Sequence, residues 1–472
     1  MLKKALMLVS GNAFGSALLL LRNLIVARLI SPEDYGIAAT FAISMSLVEM
    51  LSYLGLNQMI VVDKDGDDEH MQNALQGFQL LRGIFSSMVL FLIAVPYARF
   101  MDIEHVAWAY QVIAFIPLIS GLQHYDMHRL KRHLKFGPSV IAQAVPPLVS
   151  VLALWPLALI YDDYRIMLVA LLVQAVAMVV LSHLTAERRY RLLFDFAIMR
   201  SATIFGWPLL LNGILLFGVF NGERLIVGRE LGMGQLAIFS MAMTLTLTPT
   251  LVLAGACQSL FLPQLSGALD KPGSFRWLGV ASIEAGLAIG LLLILGVVLL
   301  GGPLVHLLLG DKYLPILNIL VPIAVVQAIR VMKSGSSTVA LAKKMSGNSA
   351  ISNLFRVISL PLSWVALIQT GEVMTVIYIA MAAEVLGYLV SVYLVVKRTE
   401  LTLPPLIVPS VVAALTCIAA LVSDWNYPPQ PHLGLQLQHG SLWLVVACGL
   451  TSLALMSNLR GYLIRTLLRR ER

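Results

Sequence analysis

The stretch Arg22-Asn23-Leu24-Ile25-Val26-Ala27-Arg28-Leu29-Ile30-Ser31-Pro32-Glu33-Asp34-Tyr35-Gly36 places an arginine inside an apolar helix and then turns, at Ser31-Pro32-Glu33-Asp34, into a second helix. About two hundred residues later the chain repeats itself. Glu223-Arg224-Leu225-Ile226-Val227-Gly228-Arg229 shows four identities in seven positions against Arg22 to Arg28, and Ala27/Gly228 exchanges one small residue for another. Gly347-Asn348-Ser349-Ala350-Ile351 echoes Gly137-Pro138-Ser139-Val140-Ile141 at a similar offset. Two echoes at nearly one spacing predict a duplicated unit of roughly 200 residues, the internal symmetry of transporters.

The composition sets the solvent. The chain is 58% hydrophobic and 12% charged, with mean hydropathy +0.85. A soluble domain carries about 25% charge, so this is an integral membrane protein. Its apolar runs are long and lack the short alternation of barrel strands, which predicts helices. The first run, residues 5 to 30, is too long for a signal-peptide core and has no small-residue cleavage site, so it reads as an anchor that stays. The net charge of +8 comes from short basic clusters between apolar runs, as the positive-inside bias requires. That distribution argues against nucleic acid as a partner. Cys257, Cys417 and Cys448 lie far apart in apolar helices and form no metal or redox spacing, so they read as buried small hydrophobes.

Counting apolar runs long enough to cross a bilayer predicts about 14 transmembrane helices, from 5–30 to 441–460. Charge orients them. The even-numbered loops carry Arg129, Lys131, Arg132 and Lys135; Arg188, Arg189 and Arg191; Lys271 and Arg276; Lys343 and Lys344; Lys397 and Arg398. The opposite loops carry single basic residues, and Arg460, Arg465, Arg469, Arg470 and Arg472 end the chain. With Lys3 and Lys4 this places both termini in the cytoplasm. The acidic loop Asp63 to Glu69 is the discordant one. The fold class is therefore an all-α polytopic membrane protein: residues 1–199 and 200–400 as two six-helix bundles, and 401–472 as helices 13 and 14 with a basic tail. An even number of helices per repeat inserts both copies the same way up, so a pseudo-twofold axis runs along the membrane normal, and helices 13 and 14 are peripheral.

Charges far from span ends are the informative residues, because each costs roughly 2.5–3.5 kcal/mol in hydrocarbon unless it faces water or a partner. They are Arg22, Glu49, Arg82, Glu223, Arg224, Glu284, Arg330, Lys333, Arg356 and Glu384. Arg22 sits about 13 Å of helix from the Ser31 turn, so it either snorkels to the interface or faces a wet cavity. Arg224, in almost the same place one residue on, favours the cavity for both, whereas Glu223 points about 100° away from Arg224, toward a neighbouring helix. Arg330 and Lys333 share a face, as a basic inner collar or as cavity cations. Glu284 and Arg356 lie at equal depth, which allows a buried ion pair or a substrate contact. Glu49 and Glu384 are candidates for proton or cation coupling or for plain structural pairing.

Other local signals are weaker. His124-x-x-x-His128 with His133 has a metal-like spacing but sits among basic residues at a helix end, so it reads as an interfacial collar. Asp63-x-Asp65-x-Asp67 resembles the start of a calcium loop, but Asp68 and Ala74 stand where that loop needs Gly and Glu. No metal, cofactor or catalytic residue is predicted. Gly11-x-x-x-Gly15 and Gly286-x-x-x-Gly290 mark close helix packing. Among the span prolines, Pro249 within Thr244-Leu-Thr-Leu-Thr-Pro-Thr250 reads as a hinge or a static kink.

The first hairpin (Ala27 to Gly36), Tyr53-Leu54-Gly55-Leu56 and Leu309-Gly310-Asp311-Lys312-Tyr313 together resemble the polysaccharide flippases of the multidrug, oligosaccharidyl-lipid and polysaccharide exporter superfamily. The resemblance covers nearly the whole chain and marks the scaffold rather than the cargo. It implies a two-bundle, V-shaped transporter of the bacterial inner membrane, not an enzyme. Such a protein translocates undecaprenyl-pyrophosphate-linked glycan by alternating access, within the lipid bilayer, with a polysaccharide polymerase and a chain-length regulator as partners. In that picture Arg22, Arg224, Arg330 and Arg356 hold the pyrophosphate, since the arginine fork suits phosphate oxygens. A multidrug exporter of the same superfamily is one alternative. A membrane glycan polymerase or ligase is the other, although the longest outside loop, Asp424 to Gly440, lacks the arginine such enzymes use.

Overall fold

The computed structural model describes every residue except 1, 52–53, 346, 400, 403, 439 and 469–472; for 2–9, 51, 62, 434–435 and 466–468 it describes the backbone alone. Tyr53 of the second motif, Arg469, Arg470 and Arg472 of the basic tail, and the side chains of Lys3 and Lys4 therefore lie outside the described residues. Among the described residues all regular structure is helical. In order the α-helices are α1 (Leu2–Leu29), α2 (Pro32–Leu51), α3 (Leu56–Val62), α4 (Glu69–Phe100), α5 (Ala107–Ile113), α6 (Phe115–Gly121), α7 (Asp126–Arg132), α8 (Gly137–Ala158), α9 (Arg165–Leu184) and α10 (Phe196–Ser266). There follow α11 (Pro272–Leu309), α12 (Leu317–Ala342), α13 (Gly347–Thr370), α14 (Val373–Arg398), α15 (Pro404–Asn426), α16 (Leu433–Gln436), α17 (Gly440–Leu455) and α18 (Ser457–Leu468).

The opening hairpin has the chemistry of a helix start. Ser31 Oγ accepts a hydrogen bond from the Asp34 backbone N–H at 3.0 Å. Pro32 opens α2, and Glu33 and Asp34 stand in its first turn, where carboxylates complement the helix dipole. The equivalent turn in the second echo is cut by glycine. Gly232, at φ 81°, breaks α10 into two helices, a left-handed backbone that favours a residue without Cβ.

Ten helices among the described residues are long and apolar enough to cross a membrane, or twelve if each of two bent pairs is one span. The fourteen expected spans exceed that count for two physical reasons. The stretch Phe196–Ser266 counts once although Gly232 divides it, and α2 carries Glu33, Asp34 and Glu49 within twenty residues. The fourth expected span is discontinuous: Glu104–Gly121 and Asp126–Arg132 meet at 49°.

By packing, the chain divides into one unit of Met1–Ala237 and another of Ile238–Arg472. In the first, small residues let backbones touch. A Cβ on Gly15 would lie 2.5 Å from the Gln143 carbonyl oxygen of α8, and one on Gly36 would collide with the Met233 carbonyl. In the second, Gly286 and Gly290 bring α11 within 2.9 Å, Cβ to carbonyl oxygen, of Met332 and Ala328 on α12. Both Gly-x-x-x-Gly motifs thus mark close packing. Oil has no hydrophobic drive to bring helices together, so contacts of this kind carry much of the association.

The acidic loop that stood out in the charge pattern is held by the basic one. Arg132 donates to the carbonyls of Val61 at 3.2 Å, Lys64 at 3.1 Å and Asp63, and His133 Nε2 lies 2.6 Å from Asp67 Oδ1. Asp126 accepts from Arg129 Nε at 2.6 Å and from the backbone N–H groups of Glu187 at 2.6 Å and Arg188 at 3.2 Å. The Lys135 hydrogen bond, with Arg129 beside it, holds the Glu187 carboxyl below its ordinary range. The histidines join this collar: His124 Nε2 lies 3.0 Å from the Arg188 carbonyl oxygen, and His128 packs against Tyr125.

Gly335 of α12 provides the sharpest packing test, because its Cβ would run into the Ser282 and Ile283 backbone of α11. Gly335→Val is expected to cost about 1–3 kcal/mol, read as a lower Tm of the purified protein, whereas Gly273→Ala, with nothing within 4 Å, leaves Tm in place.

Candidate functional site

Helix α13 is built inside out. Its buried residues are Asn348, Ser352, Arg356, Ser359, Ser363 and Leu367, while Ile351, Leu354, Ile358, Leu362, Val365 and Ile368 are exposed. Spacings of three and four place the polar set on one face. In a membrane that face seeks protein or water and the apolar face meets lipid. On the neighbouring α12, whose apolar residues are mostly buried as well, Gln327, Arg330, Lys333 and Ser336 form a second polar stripe, each three residues after the last.

These stripes meet at Glu384 of α14, which is fully buried. Its Oε1 takes Arg330 Nε at 2.8 Å and its Oε2 takes Lys333 Nζ at 2.7 Å. Arg356 Nε lies 3.7 Å from the same Oε1. Arg330 Nη1 also donates to Gln327 Oε1 at 3.1 Å, and Lys333 Nζ to Asn353 Oδ1 at 3.2 Å. Gly387 keeps this corner open, since a Cβ there would lie 3.3 Å from Lys333 Nζ and 2.7 Å from the Ser352 carbonyl. Farther along, Ser336 and Ser391 hydroxyls meet at 2.7 Å. Three cations thus share this one carboxylate. Opposite charges at these distances in a low dielectric offset much of the burial cost, and a cluster this rich in cations attracts anions.

In the first unit Arg22 neither snorkels nor stands in open space. It is 7% exposed, wedged against α8 and α9, where Nη1 donates to Ser150 Oγ at 3.3 Å and to Gln174 Oε1. Its described partners are neutral, so the charge persists. Ser150 is itself tied to the Ala170 carbonyl at 2.9 Å.

Other expected site residues fall elsewhere. Equal depth does not bring Glu284 and Arg356 together. Glu284 instead accepts from Asn458 Nδ2 at 3.0 Å and from the Leu459 N–H at 2.7 Å. There it caps the positive end of α18, while Arg356 turns to Glu384. Glu384 is thus an ion-pair partner in this structure. Glu49 is exposed and lines a polar pocket with Arg82. Pro249 lies within an unbroken stretch of α10 and lines a largely apolar cavity of about 300 Å³ with Thr246 and Thr250. The nearby threonine hydroxyls bond the carbonyls of Ser240, Ala242, Met243, Thr246 and Leu247. Lys333, expected as a collar residue or a cavity cation, joins the cluster, and so do Gln327 and Asn353, which were not expected there. The three-residue spacing of Gln327, Arg330 and Lys333 on α12 was the available signal for Gln327.

Helical architecture of this kind is shared with exporters of the multidrug, oligosaccharidyl-lipid and polysaccharide superfamily. The structure of the lipid II flippase MurJ, inward closed, superposes with TM-score 0.69 at 13% identity, over 98% of this chain and 100% of that one. An inward-facing multidrug resistance MATE family transporter superposes with TM-score 0.63 at 14% identity, over 83% and 98%. At such identities the likeness is one of fold. Residues 25–318 match the polysaccharide biosynthesis protein family, and the chain belongs to that family. Among its relatives, the succinoglycan biosynthesis transport protein ExoT of Rhizobium meliloti (strain 1021) is 25% identical over 247 residues. That match spans 51% of this chain and only 48% of ExoT. The teichuronic acid biosynthesis protein TuaB of Bacillus subtilis (strain 168) is 20% identical over 349 residues, 73% of this chain and 71% of TuaB.

Removing the shared carboxylate strands three buried cations. Glu384→Gln is expected to destabilise the protein by roughly 3–5 kcal/mol, and a second change, Lys333→Met, to restore part of that loss; unfolding of the single and double variants in detergent gives both numbers.

Proposed function

We propose that this protein is a flippase for undecaprenyl-pyrophosphate-linked oligosaccharide repeat units, moving them across the bacterial inner membrane for surface or exopolysaccharide synthesis. The observation that carries this reading is the cluster of three cations on the buried Glu384, in a member of a polysaccharide biosynthesis family. A pyrophosphate is a compact polyanion, and guanidinium forks and an ammonium match its oxygens. Arg330, Lys333 and Arg356 bind it in one unit, and Arg22 and Arg224 stabilise negative charge in the other. Glu384 acts as the resting counter-ion that a bound anion displaces.

Two bundles of six helices, 1–199 and 200–400, move in alternating access, with both termini in the cytoplasm and Pro249 as a hinge. Residues 401–472 add the two last helices and the basic tail. A polysaccharide polymerase and a chain-length regulator use the delivered units. The relatives' names, a succinoglycan transport protein and a teichuronic acid biosynthesis protein, agree with a glycan cargo. A cluster of three cations disfavours cationic drugs as cargo.

Arg330→Gln and Arg356→Gln are expected to lower translocation about tenfold or more, the loss of a charge-assisted bond each. The measurement is the amount of lipid-linked repeat unit left on the cytoplasmic face and of polysaccharide at the surface, with expression matched. Normal polysaccharide and no build-up in a deletion strain lacking paralogues would reject the reading.

A further inference from the structure

The first unit contains a second, chemically different pocket, of about 170 Å³. Glu49, Gln79, Arg82, Ser86, Ser120 and Gln123 line it. They come from one face each of three helices: Glu49 from α2, Gln79, Arg82 and Ser86 at intervals of three and four from α4, and Ser120 from α6. Gln123 stands where the fourth expected span is interrupted, between α6 and α7. Backbone of that kind is tolerated at membrane depth where it borders protein or a wet cavity. Gly83 and Gly121 bring α4 and α6 together at this level, since a Cβ on Gly83 would lie 2.6 Å from the Pro117 carbonyl oxygen.

The pocket differs from the Glu384 cluster in charge. One carboxylate and one guanidinium give a formal sum of zero (1 − 1), so it offers a polyanion no surplus attraction. What it offers is a mixed set of donors and acceptors: a carboxylate, a guanidinium, two amides and two hydroxyls. Gln79 is fixed in place, its Oε1 accepting from Tyr125 Oη at 3.1 Å, and Ile116 and Pro117 supply an apolar wall. A volume near 170 Å³ holds roughly five or six waters at about 30 Å³ each, or one pyranose ring. A sugar ring has hydroxyls that both donate and accept and a C–H face that packs on apolar side chains, which matches this lining group by group.

We infer that this pocket is a subsite for one uncharged sugar ring, and that it discriminates among glycans independently of the phosphate-binding cations. The inference rests on the flippase reading above, which it deepens.

The test uses the full-length protein in lipid nanodiscs and two probes, undecaprenyl pyrophosphate with and without its oligosaccharide. The wild-type protein is expected to bind the glycan-bearing lipid about tenfold more tightly, the worth of one or two net hydrogen bonds. Ser120→Phe, which fills the pocket, and Gln123→Leu, which keeps its volume, are both expected to erase that preference while leaving binding of the bare pyrophosphate lipid unchanged. If both variants keep the preference, or if they weaken the two lipids alike, the subsite is refuted. A wild-type protein that binds neither lipid refutes the flippase reading itself. Tm of each variant, measured in the same nanodiscs, separates lost recognition from lost folding.

Discussion

One carboxylate shared by three cations is the constraint on which the second unit depends. Charges in hydrocarbon are tolerated when they find partners, and Arg330 and Lys333 of α12 and Arg356 of α13 find a common one in Glu384 of α14. This shared carboxylate acts with the glycine-mediated packing of α12 on α11 in setting how the helices are turned. Once they are so turned, Ser336 meets Ser391, Arg398 Nη1 reaches Asn348 Oδ1 at 2.5 Å, and the apolar residues of α13 are left to lipid. Three cations gathered on one carboxylate are the chemical basis on which an anionic cargo is proposed.

The first unit solves its problem differently. Arg22 is embedded among neutral acceptors. Glycines set how closely several of its helices approach: Gly15 on α8, Gly36 on the Met233 backbone, Gly83 against Gly121. Charge pairs gather around α7, where Arg132, Arg129 and Lys135 hold Asp67, Asp126 and Glu187. The acidic segment that appeared discordant by a rule of loop charge is therefore the structural complement of its basic neighbour. Lys and Arg govern insertion, and their acidic partners are recruited afterwards.

Much of this was legible from residues alone, because membrane helices announce themselves by length and internal charges by their cost. The helical class, the Ser31-Pro32 turn, the packing glycines and the list of internal charges all followed from those two facts. Partner choice did not follow. Equal depth suggested Glu284 with Arg356, but depth fixes only one coordinate, and azimuth decides contact. Glu284 points toward α18, whose first amides attract a carboxylate, whereas Arg356 points toward α14. Lys333 shared a face with Arg330, but the shared face alone did not decide between a collar and a cavity role. The pocket around Gln123 was hidden for another reason: the apolar run that ends near Gly121 is long enough to suggest one continuous span, and the small and polar residues Gly121, Gln123, His124 and Asp126 are where the helix breaks.

The central claim is that the cations around Glu384 form a site that accepts an external anion in exchange for their own carboxylate. Titrating the purified protein in nanodiscs with inorganic pyrophosphate while following Tm tests it most directly. The account predicts a saturable rise of a few degrees, as for any ligand bound by the folded state alone, lost when Lys333 and Arg356 are both replaced by methionine. An unchanged Tm at saturating pyrophosphate, or a rise that survives that double replacement, would contradict it.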